Sequence, residues 1–198
     1  MPAVEGNAHT LVRRRREPPA WQYRDLLIRR YVPADHAAVL ELHRQGLAQV
    51  GLRPGDGVYY EHDLFRIEEV YFDRCGEFVV GERDGVVVAM GGLRRADLIP
   101  TGLTRAHGGY AVGLPPRTEI AEMVRLRVHQ TVRRRGYGSA IVAALEERAV
   151  ELGYRLLHCD TTDLQVAAME LYRRAGWRET RREVIGGITN VYFEKALF

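Results

Sequence analysis

The stretch 122–138, EMVRLRVHQTVRRRGYG, constrains this chain more than any other. Met123, Val124, Leu126 and Val128 supply apolar surface suited to a strand, interrupted by Arg125 and Arg127. Arg133, Arg134 and Arg135 then run into Gly136-Tyr137-Gly138. From Ser139 the apolar residues take helical spacing: Ile141, Val142, Leu145, Ala149 and Leu152. A strand, a short basic loop and a glycine-marked helix start leave backbone N–H groups pointing outward, with the positive end of the helix dipole behind them. Glycine lets the backbone approach a ligand closely. With the arginines, the product is a pocket suited to a pyrophosphate. A dinucleotide fingerprint would need a third glycine where Ile141 stands, and a phosphate loop of the Walker type would need Gly-Lys-Ser/Thr, which is absent. The same residues would also serve as a solvated arginine cluster before an ordinary helix.

Further sequence marks narrow the reading. Arg133-x-x-Gly136-x-Gly138 resembles the [Q/R]-x-x-G-x-[G/A] signature of the GNAT acyltransferase superfamily, in its histone acetyltransferase-like branch. Tyr154 to Cys159 reads as a buried strand. The run Asp163 to Trp177 resembles the second hallmark of that superfamily, with Gln165 for the usual Asn, then Ala168, Leu171, Tyr172, Gly176, and Trp177 for Phe. Glu122, eleven residues before Arg133, stands where the histone acetyltransferase branch carries its general base. The resemblance spans residues 119 to 185.

The resemblance implies an α/β (α+β) fold: a mixed, mostly antiparallel sheet with helices on both faces. Its fourth and fifth strands, here 119–128 and 154–161, splay apart to admit the pantetheine arm of acetyl-CoA. It implies an acetyl-CoA-dependent N-acetyltransferase that moves the acetyl group directly to a primary amine of a small molecule. The alternatives are a protein lysine or N-terminal acetyltransferase, and a non-catalytic module that binds acyl-CoA. The cofactor grip would fall to Arg133, Arg134, Arg135, Gly136, Tyr137, Gly138 and Ser139. The backbone of Leu126, Arg127 and Val128 would pair with the pantetheine amides, and a backbone N–H near Leu126 or Val128 would stabilise the oxyanion. Gln165 would lie near the pantetheine, its extra methylene leaving that contact open.

For catalysis the resemblance implies Glu122 as general base and Tyr172 as the acid that protonates the CoA sulfur. Glu122 could instead be a rim glutamate paired with Arg125 or another arginine. Glu119 stands in reserve on the opposite face of a regular strand, unless a bulge changes the facing. Tyr172 could instead be a core tyrosine on an amphipathic helix. Acceptor candidates of both charge signs flank the cleft: Asp56, Tyr59, Tyr60, His62 and Asp63 in 51–63, and Arg105, His107 and Arg117 in a loop at 97–118.

At 198 residues, 46% hydrophobic and 28% charged, the chain is expected to form one globular domain. Its organisation reads as a flexible leader over 1–22 and a single domain over 23–198. The strand at 26–31 precedes a helix beginning at Ala34-Asp35. A second helix is predicted from Tyr59 to Phe72, and a hairpin turns at Arg83-Asp84-Gly85. The last two strands would turn at Gly186-Gly187. No apolar run reaches the roughly 20 residues of a membrane span, and Glu17-Pro18-Pro19 after Arg13–Arg16 breaks any signal-peptide pattern. A cytoplasmic protein is the expectation. Cys75 and Cys159 have no metal-ligand spacing, so no metal is expected, and Cys159 reads as a small core residue. The net charge of +3 is mild. The leader arginines read as solvated and not as a nucleic-acid site, and a homodimer is compatible with everything above.

Overall fold

The computed structural model describes residues 11–14, 18–53, 61–96 and 116–197. Its strands are β1 (Val12–Arg14), β2 (Ala20–Tyr23), β3 (Leu26–Arg30), β4 (Glu77–Arg83), β5 (Val86–Arg95), β6 (Ile120–Val128), β7 (Leu156–Thr162), β8 (Arg178–Ile185) and β9 (Ile188–Ala196). Its α-helices are α1 (His36–Ala48), α2 (Tyr137–Glu151) and α3 (Val166–Arg174). Among the described residues the strands form one sheet in the order β1-β2-β3-β4-β5-β6-β7-β9-β8. Every neighbouring pair is antiparallel except β6 and β7, which are parallel.

The helices divide between the two faces. On one, Ile141, Leu145 and Ala149 of α2 and Met169 and Tyr172 of α3 pack with Trp21, Ile28, Val79, Leu93, Leu157 and Phe193. On the other, Val39 and Leu42 of α1 pack with Leu64, Ile67, Tyr71, Phe78, Val80 and Met90. Local chemistry sets the element ends. Asp84 and Gly85 turn the β4–β5 hairpin with φ of 52° and 76°, the left-handed geometry anticipated from Asp-Gly. Pro33–Asp35 forms a short 3-10 turn ahead of α1. There the Asp35 carboxylate accepts the Val32 N–H at 2.9 Å and both Arg29 Nη donors at 2.8 and 2.9 Å.

Two expectations are corrected. The sequence predicts a flexible leader over 1–22, yet β1 and β2 add two strands to the edge of the sheet, with Ala20 and Trp21 buried. Trp21 belongs to the main core, and a short apolar stretch between prolines and arginines gives no periodic signal to find. The helix expected over 59–72 is also broken. Its described part is a 3-10 turn at His62–Phe65 and a π-helical turn at Glu68–Phe72, separated by Arg66 at φ −140°, ψ 43°. The apolar face itself is as expected, with Leu64, Ile67 and Tyr71 all buried. The chain departs from a regular helix where Asp63 is drawn inward to bond Tyr71 and Arg125. Residues 54–60 and 97–115, which include Asp56, Tyr59, Tyr60, Arg105 and His107 and most of the predicted loop, lie outside the described residues.

Candidate active site

The site begins where the one parallel pair comes apart. β6 and β7 are in register only at Ile120↔Leu156, Ala121↔Leu157 and Glu122↔His158. Beyond that point β6 continues to Val128 along β5, while β7 continues to Thr162 along β9. The two strands therefore diverge just after Glu122 and His158, leaving a wedge between them with strand edges on both sides. A bulge accompanies the divergence. The β5–β6 register shifts between Met90 and Gly92, and Arg125 takes φ of 59°. A bulge bends and twists its strand, and this one also resets which face each side chain occupies. Ala121 and Met123 lie on the α2 side, and so do Leu126 and Val128. Glu122, Val124, Arg125 and Arg127 go to the α1 side.

The α1 side of the wedge is charged and largely buried. Glu122, 4% exposed, accepts a hydrogen bond from Arg94 Nε at 2.6 Å. Asp63 accepts from Arg125 at 2.6 and 3.0 Å and from the Tyr71 hydroxyl at 2.5 Å. Burial works against the charge on both arginines. It is outweighed by Glu122 for Arg94 and by Asp63 for Arg125, so both hold their protons more tightly than usual. Asp160, on β7 two residues past the last β6 pair, shares this face with His158 and Thr162 by strand alternation. Burial, reinforced by Glu122, pushes its carboxyl up to about 6. Asp160, Arg94 and the pairing of His43 with Glu61 (2.8 Å) were not singled out from the sequence. Arg94, His43 and Glu61 lie far along the chain from the motifs, and Asp160, though within the predicted strand 154–161, acquires these neighbours only through strand pairing.

The nominated residues sort cleanly. Glu122 sits at the fork, engaged by an arginine as its alternative reading had it, though the arginine comes from β5 and not from its own strand. Glu119 is off the strand, in a 3-10 turn at Arg117–Glu119, pairing with Arg155 at 3.4 Å away from the wedge. Arg117 donates to the Ala96 carbonyl at 3.0 Å. Asp63 is buried and holds Arg125 in place, while His62 is exposed. Tyr172 lies on the α2 side, buried against Trp177 and Phe193 with ring centroids 5.4 and 5.5 Å away, beside the Cys159 thiol. Burial, with Cys159 adding to it, raises the Tyr172 hydroxyl well above its ordinary value, so it keeps its proton. Gln165 precedes α3 and its side-chain oxygen accepts the Thr161 hydroxyl at 2.6 Å.

The basic turn opens α2 as expected. Gly136 is the N-cap residue at φ 84°, and the first bond in the helix is from Ala140 N–H to Gly136 O at 3.0 Å. The N–H groups of Tyr137, Gly138 and Ser139 therefore have no partner within the helix. Arg133, Arg134, Arg135 and Ser139 are exposed around them. Two of the nominated side chains point elsewhere. Tyr137 is buried, its hydroxyl donating to Asp25 at 2.6 Å, so only its backbone can serve a ligand. Arg127 crosses to lie against Gly46 of α1 and donates to the Leu126 carbonyl at 2.8 Å. The turn is fastened to the first strands of the sheet. Besides the Tyr137–Asp25 bond, Arg24 donates to the Arg135 carbonyl at 3.3 Å, and Tyr23 fills the space beside Gly136 where a Cβ would fall 2.4 Å from its hydroxyl.

This fold and wedge define a class, and the sequence comparison agrees with it. A model of the acetyltransferase (GNAT) family matches residues 37–177, and the chain belongs to that family. No curated protein matches the sequence. Among solved structures it is similar to yncA of Salmonella typhimurium, which was determined with its cofactor acetyl-CoA; identity is 17%, TM-score 0.66, and the match covers 88% of this chain and 95% of that one. It is also similar to a GNAT-family acetyltransferase of Staphylococcus aureus Mu50, at 17% identity and TM-score 0.67 over 87% and 99% of the two chains. A ribosomal-protein-alanine N-acetyltransferase of Brucella melitensis matches at 19% identity and TM-score 0.62 over 86% and 99%. At such identities these likenesses establish the fold. Among the described residues no helix is long and apolar enough to cross a membrane.

Proposed function

We propose that this protein is an acetyl-CoA-dependent N-acetyltransferase that acts on a primary amine of a small molecule by direct transfer. The observation that carries the reading is the divergence of β6 and β7 immediately after Glu122 and His158, with carboxylates on one face and the Tyr172 hydroxyl on the other. The residues present fit the cofactor. The backbone N–H groups of 137–139 and the exposed Arg133, Arg134 and Arg135 suit a pyrophosphate. The edge of β6 from Leu126 to Val128, no longer paired to β7, suits the amides of a pantetheine arm. When bound, acetyl-CoA would supply an activated acetyl thioester.

The remaining work falls to the chain itself. An incoming ammonium must lose a proton before its nitrogen can attack, and two carboxylates, Glu122 and Asp160, stand where the strands part. The leaving sulfur needs a proton, and Tyr172 carries one held well above the neutral range. Backbone N–H groups near Leu126 or Val128 would stabilise the developing oxyanion. A compact amine suits carboxylates that are buried or half-buried more readily than a peptide segment does. The test is a panel of free amines and of peptides with lysine or a free N-terminus, followed by thiol release from acetyl-CoA. Release with small amines is expected. Release with peptides alone would reassign the acceptor, and no release with either, despite a melting temperature raised by CoA, would leave a binding module.

A further inference from the structure

We propose that Asp160, and not Glu122, is the group that receives the acceptor's proton, and that Glu122 with Arg94 is a positioning pair that conditions it. The inference rests on the acetyltransferase reading above.

The first observation is placement. Glu122 and His158 are the last residues of the two strands still opposite one another. Two residues on, β6 has begun its bulge toward β5, while β7 holds its line against β9. Asp160 therefore lies on the same face as Glu122, past the point where β6 flanks β7, with β9 alone beside it.

The second observation is how each carboxylate is used. Glu122 is buried and held by Arg94 at 2.6 Å. Taking up a proton there would break a buried charge pair, which is costly. Asp63 is likewise committed, to Arg125 and Tyr71. Asp160 is only half-buried, and among the described residues its carboxylate makes no ion pair and no hydrogen bond to another side chain. One step further along the same face, the Thr162 hydroxyl is buried, 1% exposed, and has no hydrogen-bond partner among the described residues. A carboxylate and a hydroxyl in line, both without a side-chain partner, form a receiving edge for a group that carries several N–H donors.

The charged groups around Asp160 decide how it behaves. Glu122 on β6 raises its carboxyl, while Arg94 on β5 and Arg125 on β6 lower it. His158 precedes it on β7, and Tyr192 faces it from β9 with Arg181 of β8 over its ring at 4.1 Å. Glu194 faces His158 from the same strand. On the helical side, Asp63 holds Arg125, and His43 of α1 lies in the field of Arg125 and Arg127. Burial and Glu122 dominate, which places Asp160 at about 6. It is then ionised at neutral pH and a stronger base than an ordinary aspartate. In the step itself an N–H bond of the ammonium breaks, its electron pair stays on nitrogen, and the proton passes to an Asp160 oxygen. The charge pair cancels, and a neutral amine faces the wedge.

Two measurements test this. In unliganded protein labelled with 13C at the aspartate carboxylates, the signal missing from Asp160→Asn should titrate near 6 in the wild type. It should titrate at lower pH in Glu122→Gln, because that change removes the neighbouring negative charge and leaves Arg94 positive. A midpoint at about 4, the ordinary carboxylate value, or one unmoved by Glu122→Gln, would overturn the inference. With an amine from the panel, Asp160→Asn should lower turnover about 100-fold or more and remove the acid limb of the pH–rate profile. Asp160→Glu should restore part of the rate, and Glu122→Gln should keep the limb but move it to lower pH. Amine-dependent thiol release that survives Asp160→Asn with its acid limb unchanged would sink the inference alone. Absence of any such release in the wild type would sink the acetyltransferase reading and the inference with it.

Discussion

Trp21→Ala tests whether the first strands belong to the domain. Trp21 is completely buried and joins the core shared by α2, α3 and the sheet. Its indole N–H has no partner among the described residues, so the substitution forfeits apolar burial and packing but no hydrogen bond there. Truncating a buried aromatic residue to alanine costs about 3–5 kcal/mol, the transfer loss plus the cavity left behind. For a chain of this size each kcal/mol lowers the melting temperature by about 2–4 °C, so a fall of roughly 6–20 °C is expected. Cofactor binding should suffer as well, because β2 and the turn after it fasten the α2 N-terminus through Tyr23, Arg24 and Asp25. Urea titration of the variant gives the stability change, and calorimetry with acetyl-CoA gives the affinity. A loss below about 1 kcal/mol, within the range of ordinary surface substitutions, would show that β2 contributes little and that the domain does begin near residue 23.

Three further outcomes are expected. Gly136→Asp places a side chain at φ 84° and a carboxylate among the phosphate-binding groups, so acetyl-CoA affinity should fall sharply along with some stability; calorimetry on folded variant showing unchanged affinity would refute the pocket. Tyr172→Phe removes only the hydroxyl and should reduce turnover by about 100-fold or more with little change in acetyl-CoA affinity, and a fully active variant would assign that proton to solvent. The third concerns acid. Burial opposes ionisation of Asp63, yet Arg125 outweighs it and holds the carboxyl below its ordinary 3.8. A depressed carboxyl contributes stability that is present above its unfolded value and lost as the pH falls through the folded one. Asp63→Asn should cost about 3–5 kcal/mol at neutral pH, by stranding Arg125, and should flatten the loss of stability below about pH 4; urea titrations across acid pH that show an unaltered slope would count against the buried pair.

Features that depend on local chemistry were legible in the chain before any tertiary contact is considered. Glycine at the head of α2, the Asp-Gly hairpin turn, the apolar stripe of α2 and the Gly186-Gly187 turn are set by backbone freedom and short-range periodicity, and each was legible in a few consecutive residues. The motif spacing at 133–138 and 163–177 carried the family, and with it the expected order of strands and helices. Other features required the folded chain. Trp21 gave no periodic signal because β2 is only four residues long, and its place in the core is shared with α2, α3 and distant strands. The bulge at Arg125 could be allowed for but not located, because a register shift arises between two strands and belongs to neither alone. That shift placed Arg125 opposite Asp63 and Arg127 against α1. The partner of Glu122 comes from β5, 28 positions away in the chain, and Asp160 gained its importance only from the point at which β6 leaves β7. A carboxylate's charge, its partner and its proton affinity are properties of its surroundings, and those surroundings are assembled by strand pairing between distant parts of the chain.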